Sequence, residues 1–199
     1  MKHLKLITQV IACILMLSIN IMSSQTKREI TMGDIRNKVA ENTKLVTFDL
    51  EDYYVSGNRA QVDISQWLDL GFILREKEFR AALDNHNWEQ YQDCYVAVNC
   101  STDAIVPAWA FMLFTVKVAP FCKKVVIGNL EALETSLYEK ALTEIDIEQY
   151  KDKFIIIKGC ANKPVPQSAY VNITSKLISV AKSVMYGEAC SSVPLYRKK

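Results

Sequence analysis

The side chains best suited to chemistry in this sequence are thiols. Of six cysteines, Cys13 lies in an apolar N-terminal stretch, and Cys94, Cys100, Cys122, Cys160 and Cys190 are spread through the body. They form no CxxC pair and no zinc-finger spacing, so they read as reduced thiols rather than a disulfide framework. Thiolates select soft ions, which makes Cys100, Cys160 and Cys190, supported by Glu131, candidate ligands for iron, an iron–sulfur cluster or zinc. Cys100 also precedes a helix start, where the helix dipole lowers a thiol pKa and suits it to sulfur carriage or nucleophilic attack. Plain packing competes with both readings, because free cysteine behaves as a small buried hydrophobe. Asp103 and Glu131 are the carboxylates placed for general acid or base work on a small molecule. Asp49, Glu51 and Asp52 could take a hard cation, but an acidic turn after a strand is more often simply solvated. His86 is the single histidine after residue 3, which leaves histidine-rich zinc sites and Ser-His-Asp triads without material unless it takes part itself. No GxGxxG or GxxxxGK[ST] loop is present.

These residues are positioned by a strand–turn–helix pattern. Leu45 to Leu50 reads as a strand, Ser56-Gly57-Asn58 as a turn into an extended piece near Val62 to Ile64, and Trp67 to Leu83 as largely helical with a break at Gly71. Tyr95 to Asn99 is then an apolar strand, followed by the capping residues Ser101-Thr102-Asp103 and a helix from about Ala104 to Val118. Lys124 to Ile127 is a strand ended by Gly128-Asn129 and followed by a helix from Leu130 to Leu142. Phe154 to Lys158 is a strand ended by Gly159-Cys160 and followed, after Pro164 and Pro166, by a long helix to about Met185 with Gly187 as its C-cap.

Repetition of this unit implies parallel strands joined by right-handed crossovers, and hence a small three-layer α/β/α domain with a mainly parallel sheet. Ligands of such sheets bind beyond the carboxyl ends of the strands. Cys100 and Cys160 fall at that edge with Asp103 and Glu131. Cys94 and Cys122 fall at the opposite edge, about 20 Å away at ~3.3 Å per residue. Cys190 reaches the first group only if the tail climbs back. The helix from Ala104 to Val118 is apolar nearly all round, which predicts a central helix covered on more than one face, with a homodimer interface as the alternative. No internal repeat or linker divides residues 32–199, which read as one domain.

Residues 1–31 hold four Lys/Arg and one Glu, leaving residues 32–199 slightly acidic despite a formal charge of +2. That balance argues against nucleic acid as a partner. The segment from Met1 to Ser24 has a charged start and an apolar run, but no clear cleavage site follows it and it is marginal as a membrane span. The preferred reading is a misassigned start with Met32 as first residue, a cytoplasmic protein and no membrane contact for residues 32–199. A real leader would instead make it exported or membrane-anchored.

Asp49-Leu50-Glu51-Asp52-Tyr53-Tyr54, Ile73 through Arg80, Cys100 through Pro107, Gly128 through Glu134 and Val180 through Glu188 together resemble an uncharacterised bacterial family, domain of unknown function 2480, from about Met32 to the end. The resemblance implies that Cys100, Cys160 and Cys190 belong to the family pattern and that the leader is a departure from it. Family members often lie beside genes for iron–sulfur cluster assembly and sulfur transfer. The resemblance therefore implies an accessory role in that metabolism, with iron–sulfur assembly proteins as partners; the alternatives are a small-molecule enzyme using the crevice at the strand carboxyl ends and a non-catalytic interaction module that docks through the helix from Ala104 to Val118, and whether the protein is itself an enzyme is left open.

Overall fold

The computed structural model describes residues 44–159 and 161–199. Chain contacts divide into two units, Met1–Lys38 and Val39–Lys199, and the description concerns the second. The leader and Cys160 lie outside the described residues. Among those described, no helix is long and apolar enough to cross a membrane.

Seven strands and four α-helices alternate in the order β1 (Leu45–Asp49), β2 (Arg59–Asp63), α1 (Glu76–Asp84), β3 (Tyr95–Asn99), α2 (Ala108–Val118), β4 (Lys124–Ile127), α3 (Leu130–Thr143), β5 (Phe154–Lys158), α4 (Gln167–Leu177), β6 (Ser183–Glu188) and β7 (Ser191–Arg197). The expected α/β architecture is present, with its strands divided between two sheets. One sheet has the order β1-β5-β6-β7 and the other β2-β3-β4. Every pairing is parallel except β6 with β7.

The two sheets belong to two halves built alike, so the reading of an unrepeated chain is corrected. Glu89-Gln90-Tyr91 and Glu148-Gln149-Tyr150 form equivalent 3₁₀ turns, each followed by an aspartate at positive φ (Asp93, 60°; Asp152, 56°) and then by β3 or β5. At the same offset, Pro107 and Pro166 start α2 and α4, and Ala110/Ala169, Phe114/Ile173 and Val118/Leu177 are the buried pairs of those helices. The hydrogen bonds repeat as well. Asp93 N–H donates to Phe121 O as Asp152 N–H does to Val180 O, and Gln90 Nε2 donates to Asn87 O as Gln149 Nε2 does to Asp146 O. β1 and β2 complete the correspondence: each ends in an aspartate, Asp49 or Asp63, whose carboxylate accepts an N–H two residues on and so starts a 3₁₀ turn. The likeness escapes a scan for identity because only shape and polarity are kept at most positions, as in Val96-Ala97-Val98 against Ile155-Ile156-Ile157, all buried.

Each half has its own core. Val62, Val96 and Val98 of the three-stranded sheet pack on Phe79 and Leu83 of α1 and on Ala110, Phe114 and Val118 of α2. Phe48, Ile155, Ile157 and Val184 of the four-stranded sheet pack on Tyr138 and Leu142 of α3 and on Ala169, Ile173 and Leu177 of α4. Helix α3 joins the halves, because its Leu133 and Leu137 also cover Ala97 on the free face of the three-stranded sheet. It starts where it does because Asn129 Oδ1 accepts the Ala132 N–H at 3.0 Å, and because Gly128, at φ 128°, leaves room where a Cβ would lie 2.7 Å from the Ala132 Cβ.

Three further expectations are corrected. The last helix ends at Leu177, and Val184 to Gly187, read as its C-terminal turn and cap, belong to β6. Pairing with β5 overrides the local helical pattern there, a tertiary effect that local propensity does not report. The helix predicted over Trp67 to Leu83 is a 3₁₀ turn over Ile64–Trp67, a tight loop and then α1. Helix α2 is not a central helix: Ala110, Phe114 and Val118 are buried, while Met112 and Val116 are 66% and 68% exposed.

Candidate functional site

A cleft of about 510 Å³ opens where three segments meet, and its size suits a small organic ligand. Tyr54 comes from the connection between β1 and β2 and Arg59 from the first position of β2, Leu130, Glu131 and Glu134 from the start of α3, and Pro164 to Gln167 from the loop after β5 and the first residue of α4. The N-termini of two helices of eleven or more residues thus border one space, as the rule for parallel strands anticipates. Pro166, whose side chain offers no acceptor, starts α4 without a side-chain cap.

Arg59 and Glu134 form the wall. Arg59 Nε meets Glu134 Oε1 at 2.7 Å and one terminal nitrogen meets Oε2 at 3.2 Å, a two-pronged pair with side-chain exposures of 12% and 9%. The remaining donors reach the Gly57 and Val55 carbonyls at 2.6 Å each, and the guanidinium lies 4.4 Å from the centroid of Tyr54. Burial alone would depress the arginine pKa; the bonds and charge of Glu134 outweigh it and raise the value, keeping the group charged. Lys163 Nζ also lies over the Tyr54 ring, 5.0 Å from its centroid.

Beneath this wall lies an anomaly. Tyr138, 1% exposed, has a buried hydroxyl without a hydrogen-bond partner among the described residues. Burial first, and then the charges of Glu134, Glu51 and Tyr54, push its pKa up to about 12, with Arg59 opposing. Three of the groups that act on it, Tyr54, Arg59 and Glu134, line the cleft. The equivalent residue of the other half is Phe79, 0% exposed and without a hydroxyl. The fold therefore accepts a phenyl ring at this position, and the oxygen on Tyr138 is an addition that costs about 1–3 kcal/mol while it stays unpaired.

The loop after β5 is held against the cleft by Glu51, whose carboxylate accepts the N–H of Ala161 and, at 2.8 Å, that of Asn162. The Asn162 backbone bond is the leading cause of the lowered Glu51 pKa. Asp63 performs the same service in the other half, accepting Ser101 N–H at 3.1 Å and Ser101 Oγ at 2.5 Å. Burial would raise the Asp63 pKa, but these bonds and those from Ser65 bring it down to about 2.

Of the residues singled out from the sequence, Glu131 lines the cleft. Cys100 lies past the end of β3 and packs against the core of the three-stranded half, its Sγ 3.4 Å from Thr102 Oγ1. Cys190 is exposed in the turn between β6 and β7. Asp103 borders a different cleft, beside Phe72, Ile105 and Trp109. Cys94 and Cys122 sit together at the opposite edge, joined by the bond from Lys123 N–H to Cys94 O. His86 belongs to an aromatic cluster, with Nε2 3.1 Å from the Tyr91 hydroxyl and its ring against Trp67 and Trp88. Asp49 pairs with Lys158 at 3.1 Å. Among the described residues, no three His, Cys, Asp or Glu side chains converge as a metal site.

Sequence reasoning missed Arg59 and Glu134, which build the cleft wall, and Tyr138, which packs in the core of the four-stranded half. Their signal was the repeat, in which Tyr138 replaces Phe79 and Glu134 replaces Arg75 at otherwise matching positions.

No curated protein and no solved structure matches this chain. A family model does, over residues 33–198, and the chain belongs to that family, described as Protein of unknown function (DUF2480).

Proposed function

We propose that this protein binds a small organic acid or phosphate ester in the cleft between its halves, with Glu131 as the carboxylate available for acid–base work on the bound molecule. The observation that carries the reading is the Tyr138 hydroxyl, buried without a hydrogen-bond partner among the described residues, while the Tyr54, Arg59 and Glu134 groups that act on it line the cleft. Leu130, Pro164 and Val165 offer an apolar wall for the body of the ligand. The uncapped start of α4 and the nearby Lys163 favour an anionic group. Thermal unfolding against phosphorylated and carboxylated metabolites tests it: a true ligand at a hundred times its Kd adds about 2.7 kcal/mol of stability. The shift should shrink in Tyr138→Phe and Glu131→Gln while both variants stay folded. A ligand that stabilises wild type and both variants equally would place binding elsewhere.

The cysteines carry a separate proposal, an accessory role in iron–sulfur cluster assembly or sulfur metabolism, with Cys100, Cys160 and Cys190 as the thiols and iron, a cluster or zinc as the cofactor. The cleft reading is preferred because the described thiols and Glu131 do not converge. Stoichiometric iron and labile sulfide in anaerobically purified protein, lost in a Cys100→Ser, Cys160→Ser double variant, would reverse that preference.

A further inference from the structure

The three-stranded half carries a run of exposed apolar residues around the start of α1 and along α2. Leu70, Phe72 and Ile73 on the loop before α1 are 85%, 57% and 50% exposed, Ile105 on the loop after β3 is 93% exposed, and Met112 and Val116 continue the surface along α2 at 66% and 68%. Trp109 links loop to helix, since it borders with Phe72, Ile73 and Ile105 a groove of about 570 Å³ and lies one turn before Met112. Single exposed apolar residues need no explanation, whereas a connected patch does.

The repeat supplies an internal control. At the positions of Leu70, Phe72 and Val116 the four-stranded half carries Asn129, Glu131 and Ser175, and Gln167 stands at that of Ala108, whereas Ile73, Ile105 and Met112 correspond to Ala132, Pro164 and Val171. The same architecture folds with polar residues at three of these six positions, so folding does not require apolar ones at Leu70, Phe72 and Val116. The patch is also fixed in shape. Thr102 Oγ1 donates to Gly71 O at 2.6 Å, tying the two loops together, and Asp69 pairs with Arg75 at 2.7 Å beside them.

We infer that this face is the interface with a second copy of the chain, related by a two-fold axis near α2. Three features select that occupant. First, at about 200 Å² for each large side chain when fully exposed, the six fractions leave about 800 Å², the area each partner contributes to a standard interface. Second, most of the charged rim is neutralised in pairs, Arg75 with Asp69, Arg80 with Glu76 and Lys117 with Asp84, which leaves Asp103 at the groove as a single charge and lets two identical faces meet without strong repulsion. Third, Ala108, Met112 and Val116 form an i, i+4 ridge flanked by Thr115 and Ala119, and such a ridge packs against its own copy with close helix approach.

Sedimentation equilibrium and light scattering on the full chain test the inference. The wild-type protein should have the mass of a dimer at micromolar concentration. Met112→Glu with Val116→Glu should weaken association on the order of a hundredfold and halve the observed mass, with circular dichroism unchanged. Phe72→Glu, on the loop, should act in the same direction and serves if the helix variant fails to fold. Ser175→Glu, at the twin position, should leave the dimer intact. A monomeric wild type would overturn the assignment, as would a dimer indifferent to both the helix and the loop substitutions, whether its contact lay elsewhere on the domain or in another protein's surface.

Discussion

Replacing Arg59 with methionine removes the cation of a pair whose carboxylate, Glu134, is 9% exposed at the side chain. Methionine fills the volume but leaves the carboxylate buried among Tyr54, Tyr138 and α3 with no counter-charge. Breaking one partner of a buried pair typically costs about 3–5 kcal/mol. The Gly57 carbonyl is exposed and regains water, whereas the Val55 carbonyl is half-buried and adds a small further cost, so the expected loss is about 4 kcal/mol. For a domain of this size each kcal/mol moves Tm by roughly 2–4 °C, which gives a fall on the order of 10 °C. Adding Glu134→Met should restore most of it, since the cost lies in the orphaned charge rather than in the lost contact. Arg75→Met, which breaks an exposed pair with side-chain exposures of 56% and 38%, should cost under about 1 kcal/mol. Urea unfolding of the four proteins is the assay, with equal m-values as the check that the unfolded states compare. An Arg59→Met protein within about 1 kcal/mol of wild type, or a double variant less stable than the single one, would refute the account of the cleft wall.

Tyr138→Phe should be neutral or stabilising by about 1 kcal/mol, because it deletes an unpaired buried oxygen at a site where the twin half already uses Phe79; a clear loss of melting temperature would show that the hydroxyl has a partner. Acid titration of stability should show the contribution of Asp63: its folded pKa of about 2 lies below the ordinary 3.8, so the stabilisation is complete above pH 3.8 and is lost as pH falls toward 2. Asp63→Asn should flatten that window in a pH series of thermal melts, and an unchanged profile would count against the Ser101 latch. Gly128→Ala should cost about 1–3 kcal/mol, through a positive φ and the contact with Ala132, and a fall in Tm of less than a degree would refute the close approach. Cys190→Ser, at an exposed turn, should leave melting unchanged.

By itself the sequence determined the short elements whose signals are local. The apolar runs at Leu45, Tyr95, Lys124 and Phe154 became β1, β3, β4 and β5, and Asn129 placed the start of α3, because strand pattern and cap chemistry are read within a few residues. It also put Glu131 at a strand's carboxyl edge, where the cleft lies. Tertiary structure decided the rest. Ser183 to Glu188 has the spacing of a helix and becomes a strand because β5 offers an open parallel edge, and no local term carries that information. The apolar surface of α2 gave no hint which side was covered, since a helix apolar all round has no distinct face. Arg59 and Glu134 lie 75 residues apart, and only the packing of α3 across both sheets makes them one pair. The cysteines at Cys100 and Cys190 lay past strand ends or beyond a supposed helix by sequence, and the division of the strands into two sheets set them in different surroundings, one against a core and one in an exposed turn. Sequence fixes which edge of a strand a residue occupies; which sheet that strand joins follows from long-range pairing, and with it which side chains share a site.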